Sequence, residues 1–200
     1  MPFFARAPRD ERVRQLLRGL RDAAFTYDDV GWTLRDPRPP VPDGYTLDDY
    51  GTELGAGADV WAQAKAALSR IHNYPASFTR IVRLDDDDDG PVSPGTVFAT
   101  VARHFGFWSA HPCRVHAVIE TTDRYGFAFG ALPGHAEAGE ERFLLSRDAH
   151  GRVAYDVLAI SRPLGLARLG APLARRLQRR FQRETLTEMR ASVDGRQPAR

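Results

Sequence analysis

Within seven residues the chain places His135, Glu137, Glu140 and Glu141, its densest set of proton-transfer side chains. A histidine that titrates near neutrality, beside a carboxylate that fixes its ring, is the smallest general acid/base arrangement. His135 and Glu140 are therefore the candidate catalytic residues, with the alternative that the two only hydrogen-bond to each other and shape a loop. No nucleophile accompanies them: Ser109 and Cys113 lack the strained-elbow context of an activated serine or thiol. A metal on His135, Glu137 and Glu140 is not expected either, because one imidazole and two carboxylates at this spacing match no helical ligand motif. No cofactor motif is present.

The element that must position these groups is the stretch 125–145, read as strand, seven-residue loop and strand. Tyr125, Phe127 and Phe129 alternate with Gly126, Ala128 and Gly130. A period of two puts rings on one face and leaves the other nearly bare, open to a close neighbour. Pro133-Gly134 suits the centre of a type II turn, proline presetting φ and glycine accepting a positive one. The returning strand is expected at 140–146, and Arg162, closing the last strand, reads as an anchor for an anionic head group or as an ion-pair partner of Glu140 or Glu141.

Around the hairpin the periodicity predicts a helix over 10–24 capped by Asp10, with Val13, Leu16, Leu17 and Leu20 on one face. A rigid connector with four prolines follows at 36–42. A strand at 45–54 and a helix capped by Asp59 come next, then period-two patterns at 78–84, 96–105, 113–122 and 153–161. The last segment is helical from about Pro172, with Leu169, Leu173, Leu177 and Phe181 every four residues and arginines on the opposite arc. That pattern ends after Phe181, and the tail from Ser192 reads as disordered. The domain division is 1–42 for the N-terminal helix and connector, 43–190 for the main fold and 191–200 for the tail. Six or seven strands on short connections imply an α+β protein built on an antiparallel meander.

Composition narrows the function. A net charge of +2 and the absence of clustered bases with interleaved aromatics argue against nucleic acid. Cys113 is the only cysteine, which removes an intrachain disulfide and fits a reducing compartment. Without an apolar leader or a run near 20 residues, the expectation is a soluble cytoplasmic protein with no membrane span. The acidic run 85–89 lacks the glycine and distal glutamate of a calcium loop and reads as a solvated hairpin tip.

A short helix, an antiparallel meander and a long final helix is the order of a helix-grip fold, in which a curved sheet wraps the last helix. At residue level, Gly126 to His135, Gly139-Glu140-Glu141-Arg142-Phe143 and Ser161-Arg162-Pro163 resemble an uncharacterised family of bacteria and plants, domain of unknown function nineteen-ninety. Gly55-Ala56-Gly57, the helix of Ala64 and Leu68, and Pro172 with Gln178 extend the likeness over roughly 13–181. Ala131 stands where the resemblance leads one to expect threonine, and Ile71 where it leads one to expect tryptophan. The family is similar to the START and birch-allergen superfamily, and the resemblance implies a cavity between sheet and helix. On that basis Phe127, Phe129, Phe143, Tyr155, Glu141 and Arg162 are the candidate ligand-binding residues, for a small apolar or amphipathic molecule. Two other readings stand beside it: an enzyme using His135 and Glu140, or a protein-interaction module whose core is filled.

Overall fold

The computed structural model describes residues 2–85, 90–104, 106–165 and 171–194, the last group with side chains at 176 and from 178 onward. In chain order the elements are β1 (Phe3–Phe4), α1 (Asp10–Arg18), a 3-10 turn (Trp32–Leu34), β2 (Thr46–Ala56), α2 (Ala58–Ser69), β3 (Thr79–Arg83), β4 (Val97–Arg103), β5 (Trp108–Glu120), β6 (Arg124–Ala131), β7 (Glu137–Arg147), β8 (Arg152–Pro163) and α3 (Ala171–Val193). Every strand pair is antiparallel, in the order β2-β8-β7-β6-β5-β4-β3, with the two-residue β1 added beside β5. This is one strand more than the six or seven expected. The expected α+β helix-grip architecture is what the chain adopts, a curved antiparallel sheet with a long C-terminal helix.

Several boundaries differ from the sequence reading. Asp10 and Asp59 stand in the first turns of α1 and α2; the caps are Arg9 and Gly57, neither bonding through a side chain. The helix α1 ends at Arg18, six residues short of the expected 24. Beyond it Leu20 N–H bonds Leu17 O and Ala23 N–H bonds Leu20 O, turns that do not propagate the helix. Strand β5 begins at Trp108, five residues before the expected start, and carries Pro112 inside it. Leu169, Leu173, Leu177, Phe105 and most of the 85–89 run lie outside the described residues or side chains. Beyond Phe181 the helix stays covered: Thr185 and Met189 are both fully buried, so the row spaced by four continues with other residue types. The helix runs to Val193, past the expected end of order at Ser192.

The sheet is covered on both faces. On the inner face Phe98, Cys113, Val115, Tyr125, Phe127, Phe129, Phe143, Leu145, Val153, Tyr155 and Val157 form one cluster with Ala64 and Leu68 of α2 and Met189 of α3. Ile71 belongs to it too, buried where the resemblance leads one to expect tryptophan. On the outer face Val13 and Leu17 of α1, both at 0% exposure, pack on Val97, Ala99, Val101, Ala110 and Leu132. Further along that face Trp32 packs on Leu158 and Ile160. The N-terminal pieces therefore close the back of the sheet, which would otherwise expose an apolar surface.

Candidate functional site

The β6–β7 hairpin has the turn expected of it. Gly134 takes φ +94° and the His135 N–H reaches Leu132 O at 3.0 Å, the closure of a type II turn with proline at its first central position. Strand β7 starts at Glu137 and not at 140, so the connection is shorter and Glu137 joins the ladder opposite Pro163. Alternation then assigns faces. Glu137, Glu141 and Phe143 look inward, whereas Glu140 and Arg142 look outward.

Glu140 is 3% exposed and saturated. Its Oε1 accepts from the Thr33 N–H (2.6 Å) and hydroxyl (2.8 Å), and its Oε2 from the Gly31 N–H (2.7 Å) and the Tyr27 hydroxyl (2.9 Å). His116 Nε2 approaches at 3.4 Å, the outer limit of a hydrogen bond, and has no better-formed partner. Burial alone would raise this carboxyl, but the contact with His116 and the bonds from Thr33 and Gly31 outweigh it and hold the pKa at about 2. The same strap ties Arg142 to Thr33 O at 2.8 Å. Glu140 is thus an ionised clamp that holds residues 27–33 to the outer face.

His135 lies on the other side. Its Nδ1 stands 3.0 Å from both the N–H and the carbonyl oxygen of Glu137, and burial lowers its pKa to about 4. Its ring meets His111 edge-on at 5.1 Å. The structure does not bring His135 and Glu140 together; among the described residues no hydrogen bond or ion pair joins them. Arg162 is likewise not beside either glutamate. It stands on the outer face in register with Ala138, exposed, with its guanidinium 5.4 Å from the Tyr45 ring.

Glu141 contrasts with its neighbour. Its carboxyl has no hydrogen-bond partner among the described residues, and it stands on the inner face between Phe129 of β6 and Ala159 of β8. Burial, and then the charges of Glu137 and Asp48, raise its pKa to about 8, so it is largely protonated at pH 7. Phe127, Phe129, Phe143 and Tyr155, the other candidate ligand-binding residues, share this face; Phe143 lies 5.5 Å from both Phe127 and Phe129 and 6.2 Å from Tyr155. The Tyr155 hydroxyl is held by Asn73 Nδ2 at 2.9 Å.

The sequence reading missed one arrangement. His104 and His111 both approach the buried Ser109 hydroxyl through Nε2, at 2.6 and 2.8 Å. The two-residue spacing of Ser109, His111 and Cys113 carried the signal, hidden because 108–112 was not read as strand. Tyr74, Thr100, His111, His135, Glu137, Glu141 and Gln178 all keep partial exposure. Yet burial shifts Tyr74 well above and His111 well below their ordinary values. Gln178 of α3 donates to Glu137 at 2.6 Å, so this polar group sits where the helix crosses the end of the sheet.

A family model described as "Domain of unknown function (DUF1990)" matches residues 26–188. A UPF0548 protein of Deinococcus radiodurans is 35% identical over 188 residues, covering 89% of this chain and 92% of its own. One from Dictyostelium discoideum is 24% identical over 217 residues, with 99% of each chain covered. Among solved structures, hypothetical protein jhp0584 from Helicobacter pylori superposes with a TM-score of 0.56 at 12% identity, over 85% of this chain and 96% of that one. Ara h 8.0201 does so with a TM-score of 0.50 at 14% identity, over 75% and 98%. These two likenesses concern the fold. Family model and bacterial relative together show that the chain belongs to the DUF1990 family of UPF0548 proteins, on a helix-grip fold of the START and birch-allergen type.

Proposed function

We propose that the protein holds a small apolar or amphipathic molecule between the inner face of the sheet and α3. Its apolar part rests against Phe127, Phe129 and Phe143, and its polar end lies at Glu141. The observation that carries this reading is Glu141 itself. A carboxyl taken out of water without a partner costs several kcal/mol by general estimates, and its sequence neighbour shows that this chain saturates a buried carboxylate where structure alone requires it. A deep side chain that keeps accessible surface is also what a group lining an internal space displays, and Glu137 and Tyr74, which touch Gln178 and Phe181 of α3, keep such surface as well. Ligand sites commonly combine an apolar lining with a few convergent polar groups in this way. Arg162 and Glu140, both on the outer face, have no part in the site, and His135 contributes its imidazole at its end.

Native mass spectrometry of gently purified protein, followed by titration with the neutral fluorophore N-phenyl-1-naphthylamine, tests the reading. A co-purified small molecule, or saturable one-to-one binding that Phe143→Ala weakens, is the expected result. An apo mass together with no saturable binding would overturn it in favour of a filled core.

A further inference from the structure

The charges around Glu141 restrict what can bind there. Among the described residues the two charged groups acting on it are both acidic: Glu137, four residues earlier on the same face of β7, and Asp48 of β2, in register with the Ala159 that flanks Glu141. Among the described residues the basic side chains are elsewhere. Lys65 pairs with Glu120 at the far end of the sheet. Arg142 and Arg162 face outward, Arg180 of α3 is committed to Glu184 and stacks on Phe78, and Arg190 bonds Thr52. The remaining titratable groups facing the carboxyl are Tyr50, Tyr74, Cys113 and Tyr155, each kept in its neutral form by burial. Gln178 contributes an uncharged amide from α3. An anionic head group would meet three carboxyls and no cation among these residues. A cation would meet a carboxyl with no other partner, flanked by two more, with ring faces at hand for cation–π contact.

Resting on the binding site proposed above, we propose that its ligand is an amphipathic organic cation, a protonated amine or amidine whose head group pairs with Glu141 and whose apolar part lies on the phenylalanine rings. A neutral carboxyl that acquires an ammonium partner ionises, so binding near pH 7 transfers the Glu141 proton to solvent while the ligand keeps its own. Asp48 and Glu137 add attraction without taking the central position.

The test is isothermal titration of the full-length protein at pH 7 with decylammonium, 1-decanol and decanoate, in buffers of different ionisation enthalpy. The expected result is a preference for decylammonium of about tenfold or more, with release of close to one proton. Both are lost in Glu141→Gln, which still binds 1-decanol and so shows an intact site. Asp48→Asn weakens decylammonium by a smaller factor. Tightest binding of decanoate or 1-decanol would overturn the cationic assignment while leaving the binding site standing, as would an amine preference unchanged in Glu141→Gln. Failure of all three probes, and of N-phenyl-1-naphthylamine, to bind saturably would overturn both.

Discussion

Glu140 and Glu141 are neighbours with opposite protonation states, and the difference lies entirely in which side of the sheet each one faces. For Glu140 the folded pKa of about 2 is below its ordinary 4.5. The stability it contributes is therefore complete above about pH 4.5 and is lost as pH falls toward 2. Glu140→Ala leaves the Thr33 and Gly31 N–H groups without their acceptor and should destabilise the protein at pH 7 by on the order of 3 kcal/mol in urea unfolding. Glu140→Gln should flatten the loss of stability between pH 4.5 and 2. Alternation in the sequence already separates the two glutamates by face. What it does not reveal is which face is closed, because the closing groups, Tyr27 to Thr33, lie more than a hundred residues away. Reading His135 and Glu140 as a pair failed for the same reason, since nearness in sequence across a turn is not nearness across a sheet.

At the scale of elements, the β6–β7 hairpin was legible almost completely. Rings at every second residue and a Pro-Gly centre are local signals, and the structure keeps both. The bare face foreseen at Gly126 and Gly130 is real, and its occupant is now defined: a Cβ on Gly130 would run into the Tyr27 and Phe25 rings. Gly130→Val should lower the melting temperature by about 5 °C or more, and an unchanged melting curve would contradict the packing. Helix α1 was legible as an amphipathic helix but not as a cover for β3–β5, because its apolar stripe says nothing of where it docks. Leu17→Ala should cost about 2–5 kcal/mol without altering binding of N-phenyl-1-naphthylamine, since Leu17 packs on the face opposite Phe143. Strand β5 was cut short in the reading because Pro112 and the histidines resemble a loop, and the grouping of His104, Ser109 and His111 was lost with it.

For the whole molecule, the two carboxyls act in opposite pH windows. Glu141 is raised from 4.5 to about 8, so its protonated form favours the folded state fully below about pH 4.5, and that contribution is lost as pH rises toward 8. Wild-type protein without ligand should therefore be less stable at pH 8.5 than at pH 5, and Glu141→Gln should narrow the gap, as thermal unfolding across that range would measure. The helix-grip order was legible from the pattern of elements, a short helix, a meander and a long final helix. The strand crossing that sets β2 beside β8 was not, because nothing local in residues 46–56 marks its partner. Register gives the arrangement a further meaning. Glu140 lies opposite Gly130 and Ile160, and Glu141 opposite Phe129 and Ala159. A slip of β7 by one residue would reverse their faces, turning the clamp's carboxylate toward the rings of the inner face and Glu141 toward the outer one. The hairpin thus carries an electrostatic proofreading device: a misaligned ladder is penalised by charge as well as by shape.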